Sequence, residues 1–208
     1  MESKIENLEI REKIMRAARS LFAERGFEGV SVREIASAAG VNIAMVSYYF
    51  GGKEGLYFDC ISEFAKNKEV AVKNILKPIR NAEDFKKNLK AVVEDKMNSF
   101  TEDLEAHKII MRELQSRREP EFQKKIMKQL VPIFDLIKGL FVDAKKLNLL
   151  KDEMEPEHLA LMLMGTMSHP CIAEHAMETH LGYNMTNPMQ RDLYVNQICL
   201  LFFSGVLK

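Results

Sequence analysis

Almost every stretch of this 208-residue chain repeats its apolar residues at helical spacing, and no stretch keeps the two-residue alternation of a strand. A chain patterned this way folds as helices packed on helices. Only 10 glycines and 6 prolines punctuate it, so long helices joined by short turns are expected. The reading is an all-α fold of about nine helices. The first covers 5–25, with Ile10, Ile14, Ala17, Ala18, Leu21 and Phe22 as its apolar stripe and Gly26 as its stop. Two short helices follow within 31–50, and a fourth starts at Lys53 and stops before Pro78. The fifth fits 82–103 and the sixth 105–118, the latter with Ile109, Ile110 and Leu114 inward. A seventh covers 121–147 with a kink expected at Pro132. The eighth covers 156–180, disturbed at Pro170, and the ninth 188–206; Pro156 and Pro188 suit first-turn positions.

The two short helices carry the clearest function. Ser31 followed by Glu34 has the spacing of a capping box, which starts a helix. Ala36 is small enough for a close helix crossing, and Gly40 stands where a tight turn needs positive φ. Ile35, Ala39, Val41, Val46 and Phe50 are placed to clamp one helix on the next. This is the pattern of a helix-turn-helix, whose second helix enters the major groove of DNA. That helix leaves Asn42, Ile43, Ala44, Met45, Ser47 and Tyr48 to face outward. Asn42 can pair bidentately with adenine and Ala44 can touch a thymine methyl, with Ser47 as a third base-edge candidate. Asn42 serves equally as the N-cap of the same helix. Tyr48 and Tyr49 offer hydroxyls toward the DNA backbone, and Tyr49 also packs on the first helix. Lys53 follows Gly51-Gly52 at a helix start, where unpaired amides and a lysine together clamp a phosphate.

Net charge neither helps nor hinders this reading. The chain has 30 basic and 30 acidic residues, and the first 55 residues hold eight of each. Phosphate attraction must therefore come from local placement. Three widely spaced cysteines, Cys60, Cys171 and Cys199, point to reduced thiols in a cytoplasmic protein rather than a disulfide framework. The charge-alternating N-terminus lacks an apolar core, so no signal peptide is expected there, and no apolar run reaches the length of a membrane span. No Gly-rich phosphate loop, HExxH or GxSxG occurs, so a non-enzymatic function without a cofactor is expected.

From Ile14 onward the chain reads IMRAARSLFAERGFEGVSVREIASAAGV, then NIAMVSYYFGGKEGLY. This run resembles the TetR (AcrR-like) family of transcription regulators over roughly the first quarter of the chain. The resemblance implies a three-helix DNA-binding head (1–52), a six-helix ligand-binding and dimerisation body (53–208), and repression relieved by a small molecule. It also implies a homodimer on a palindromic double-stranded operator. It places Arg33, whose plain alternative is a solvated surface arginine, at a groove or phosphate contact. Ser31, whose hydroxyl or amide could meet a phosphate, completes a contact set of Ser31, Arg33, Asn42, Ala44, Met45, Ser47, Tyr48, Tyr49 and Lys53. The family often has tyrosine where Ser47 stands and a polar or basic residue where Ile43 stands, so the operator sequence does not carry over. A regulator without an inducer cavity that answers to a partner protein, or an all-helical small-molecule carrier or enzyme that merely retains the head, is the competing reading.

The last two helices are apolar on more than one face, which calls for burial on more than one side. A second copy of the chain would supply it; Leu163, Met167, Ile198 and Phe202 are the expected dimer contacts. Arg112, Met164 and His169 are the candidate contacts to the effector: an inward arginine suits an anion, and methionine adapts to varied apolar shapes. Arg112-Glu113 otherwise reads as an exposed charged pair. Cys171 and His175 have a helical metal-ligand spacing, but Pro170 spoils its geometry, and no metal is expected.

Overall fold

The computed structural model describes residues 2–116 and 119–208, with side chains described from Glu6 onward. The expected end of the sixth helix at Arg118 lies outside the described residues. Among those residues the chain is all-helical but for one isolated bridge between Leu150 and Leu207, and it contains ten α-helices rather than nine. They are α1 (Glu2–Arg25), α2 (Val32–Ala39), α3 (Ile43–Phe50), α4 (Lys53–Ile75), α5 (Ala82–Glu102), α6 (Leu104–Gln115), α7 (Pro120–Lys146), α8 (Pro156–Ile172), α9 (Glu174–Leu181) and α10 (Pro188–Val206). By packing, the chain divides into two units: Met1–Lys66 with Glu105–Gln129, and Asn67–Leu104 with Leu130–Lys208.

In the first unit, Ile14, Ala18 and Phe22 of α1 are fully buried, as the apolar stripe requires, together with Ile35 of α2, Val46 of α3 and Leu56 of α4. The Phe22 ring meets Tyr57 edge-on at 5.0 Å. Gly55 of α4 lies against the end of α3: a β-carbon built on it would lie 1.9 Å from the Phe50 carbonyl oxygen. Only hydrogen fits there, so this glycine fixes how α4 leaves the end of α3.

In the second unit, α5 buries Phe85, Leu89, Val92, Val93, Met97 and Phe100, the full apolar set of its helical stripe. It packs on α10 and α8. Phe141 of α7 links the two sides, 5.7 Å from Phe85 and 5.9 Å from Phe202 between ring centroids. Lys151 N–H bonds the Val206 carbonyl and Lys208 N–H the Leu149 carbonyl, closing the chain end onto the turn after α7.

The extra helix arises because the break falls at Ala173 and not at Pro170, which stays buried inside α8. Proline at that position has no N–H for the Thr166 carbonyl four residues earlier. The Tyr194 hydroxyl of α10 donates to that carbonyl instead, at 2.8 Å. A side chain from another helix thus fills the gap that proline opens, and the helix runs on for two more residues.

On α6 two expectations of burial are reversed. Leu114 of α6 is exposed, while Glu113, expected in an exposed charged pair, is buried. The Glu113 carboxylate accepts from the Tyr57 and Ser116 hydroxyls, both at 3.0 Å. Its burial rests on hydrogen-bond donors that the spacing around it does not reveal. Likewise Leu163, Met167, Ile198 and Phe202 are buried within the protomer itself and present no surface to a partner. The exposed apolar residues of α8 and α10 are others: Leu161, Met162, Ile172, Met189, Leu193, Leu200 and Leu201 are each at least half exposed.

Candidate nucleic-acid interface

The helix-turn-helix forms as its residues dictate. Ser31 is the N-cap of α2, its hydroxyl accepting from the Glu34 N–H at 3.2 Å. In return the Glu34 carboxylate accepts from the Ser31 N–H at 2.8 Å and the Ser31 hydroxyl at 2.7 Å. Arg25 adds an ion pair to the same carboxylate at 2.7 Å. The Ser31 hydroxyl, then Arg25, hold the Glu34 carboxyl down at about 2, so it stays ionised in every physiological condition. Both donors of Ser31 are spent on this carboxylate. Ser31 is thus a cap beside a negatively charged carboxylate.

The turn follows at Gly40, whose φ of +65° lies in the left-handed region. Its neighbour Val41 then bonds back to the Ala36 carbonyl at 3.0 Å. Asn42 caps α3, its side-chain oxygen accepting from the Ala44 N–H at 2.9 Å. Of its two readings, the cap is the one realised in this structure. Val46 and Phe50 face inward, and Ile43, Ala44, Met45, Ser47 and Tyr48 are exposed. Tyr48 is the most open of these, at 76%. No residue of α3 carries a charge.

Around this face stand the remaining predicted contacts. Arg33 is exposed on the first turn of α2. Tyr49 is half-buried, and its hydroxyl donates to the Asn7 side chain of α1 at 2.5 Å, so its packing role on the first helix is realised. Lys53 opens α4 with its ammonium 4.1 Å from the centre of the Phe27 ring. That cation–π contact holds the charge at the helix start rather than leaving it to roam. Arg11 braces α1 against α3 and α4, stacking 5.1 Å over Phe50 and pairing with Asp59 at 2.8 Å. The sequence pattern did not single out Arg11; a basic residue on the polar side of an amphipathic helix carries no mark of what it will meet.

The expected effector contacts fall in both units. Arg112 lines a groove of about 680 Å³ within the first unit, beside Phe27, Tyr57, Phe122 and the buried Glu113. Its guanidinium donates to the Glu24 carbonyl at the end of α1, at 2.8 Å. Met164, half-buried, and His169, exposed, both belong to α8 in the other unit. Cys171 is buried in α8 and His175 is exposed on α9. Among the described residues no group of three or more potential ligands could hold a metal ion, and no helix is long and apolar enough to cross a membrane.

Residues 14–60 match the family described as "Bacterial regulatory proteins, tetR family". The chain is 49% identical over 69 residues to the "Probable HTH-type transcriptional regulator YttP" of Bacillus subtilis, covering 31% of this chain and 33% of that protein. It is 37% identical over 65 residues to the HTH-type transcriptional repressor AcnR of Corynebacterium glutamicum, covering 31% and 35%. The matched region is thus about a third of either relative's length. In fold the whole chain is similar to the transcriptional regulator FadR of Bacillus subtilis, solved in complex with stearoyl-CoA: TM-score 0.74, 20% identity, 93% of this chain and 98% of that one.

Proposed function

Through residues 14–60 the chain belongs to the TetR family of bacterial regulatory proteins, and from that premise we propose that it is a cytoplasmic, dimeric transcriptional repressor. It binds a palindromic operator and leaves it when a small molecule binds. The functional division is a head of residues 1–52 and a body of residues 53–208. The observation that carries this reading is the outward face of α3, capped at one end by Asn42 and followed by Lys53 at the start of α4.

Each part of that face has a use in a major groove. The exposed first turn of α3 meets base edges, and Arg33, Tyr48 and Lys53 meet phosphates on either side. Lys53 acts together with the free amides at the start of α4. Tyr49 holds α3 against α1, which sets the angle at which α3 enters the groove. Two copies place two such helices about 34–36 Å apart, in successive major grooves of one face of the duplex. The exposed leucines of α8 and α10 supply the apolar surface for pairing the copies. A ligand releases DNA to the extent that it binds one head separation better than the other.

Gel-shift titration with the intergenic DNA upstream of the chain's own gene tests the reading. Saturable, salt-sensitive binding to that DNA over scrambled competitor is expected. Lys53→Ala with Tyr49→Ala abolishes it, because one change removes a phosphate contact and the other loosens α3. Specific binding that persists in this double variant overturns the assignment of the site.

A further inference from the structure

The outward face of α3 is unusual chemistry for reading bases. Direct readout with high discrimination rests on paired hydrogen bonds: arginine or lysine on guanine, asparagine or glutamine on adenine, an acid on cytosine. None of the outward residues of α3 is of these types. The one amide beside it, Asn42, spends its oxygen on the N–H of Ala44 and is thereby fixed on the helix end. The two hydroxyls, Ser47 and Tyr48, each donate or accept singly, and so accommodate more than one base.

What the first turn does expose is apolar. Ile43 is 46% and Met45 36% open to water, with Ala44 exposed between them. A short side chain such as Ala44 lets the helix backbone sink toward the floor of a groove, which carries its two longer neighbours to the base edges. The apolar feature that a base presents in the major groove is the C5-methyl of thymine.

We propose that Ile43 and Met45 read thymine by its methyl group, so that the operator's half-sites are recognised by apolar contact instead of paired hydrogen bonds. This rests on the DNA-binding reading above and adds to it the chemistry of the sequence that is bound. The half-site core is accordingly thymine-containing, with methyls from A·T pairs facing the first turn of α3. Ser47 and Tyr48 border this contact and bond to whichever acceptor or phosphate lies in reach. Cytosine at the same positions is rejected because it offers bare C5–H and a donor that meets only carbon.

The test starts from an operator found by selecting bound duplexes from a random pool with the full-length protein. A pool that yields no preferred sequence contradicts the DNA-reading function itself and not only this proposal. Given an operator, each half-site thymine is replaced by deoxyuridine, which deletes the methyl and keeps every hydrogen-bonding group. Each contacted methyl removed weakens binding by about fourfold, from the transfer energy of one buried carbon, and by about tenfold or more when both half-sites are changed. Affinity unchanged by uridine, in an operator that still discriminates against guanine and cytosine, overturns the proposal. The double variant Ile43→Ala, Met45→Ala supplies the second readout. Both residues are exposed, so the fold is kept. In that variant the thymine-to-uridine affinity ratio falls toward one, while helical content by circular dichroism stays as it was. A ratio that stays at the wild-type value overturns the assignment to these two residues.

Discussion

Among the places where large apolar side chains stand in water, α3 and the pair α8 and α10 expose them on different terms. On α3 the exposed large aliphatic residues are Ile43 and Met45, on an eight-residue helix where hydroxyls share the outward face. On α8 and α10, helices of 17 and 19 residues, Leu161, Met162, Leu193, Leu200 and Leu201 are at least half exposed. The first suits the narrow contact of a groove with base edges. The second suits a second copy of the same surface, since stable monomers rarely expose extended apolar area. Exposure alone does not name the partner; its extent and the chemistry beside it do.

Buried and exposed leucines of the second unit break this comparison most sharply. Leu163→Ala empties a fully buried site and costs about 3 kcal/mol of stability, read by chemical unfolding. Leu201→Glu, at a site 67% exposed, leaves helical content unchanged but brings the sedimenting mass from dimer to monomer. In the head, Gly55→Ala forces α3 and α4 apart at the Phe50 carbonyl and costs about 2 kcal/mol, as overpacking does; thermal unfolding shows the loss.

Smaller effects follow. Tyr194→Phe strips the donor from the Thr166 carbonyl and costs about 1 kcal/mol. Pro170→Ala in the same chain restores an N–H to that carbonyl and recovers part of the loss, and a double-mutant cycle measures the coupling. The smallest effect is the cap of α2. Glu34 has its native value lowered from 4.5 to about 2, so it binds a proton more readily unfolded than folded. Its contribution is present above the unfolded value and is lost as pH falls toward the folded one. The stability difference between wild type and Glu34→Gln is therefore full at neutral pH and vanishes on acidification through this window.

The head was legible because its constraints are local. Ser31, Glu34, Gly40 and Asn42 act within a few residues of themselves, and each took the place its type demands. The stripe of α5 was legible because its apolar and polar faces differ. On α8 and α10 apolar residues lie all round, so the helical period has no phase to read, and Leu163, Met167, Ile198 and Phe202 could not be told from their exposed neighbours. Glu113 was missed because its partner Tyr57 is 56 residues away. The disturbance expected at Pro170 is absent because Tyr194, 28 residues from Thr166, replaces the lost donor.

Hydroxyl-radical footprinting of the full-length protein on its selected operator tests the central claim most directly. A dimer that seats one α3 in each of two successive major grooves protects two equivalent patches about 10 base pairs apart, on one face of the duplex. A single protected patch, or protection that follows no sequence, contradicts it.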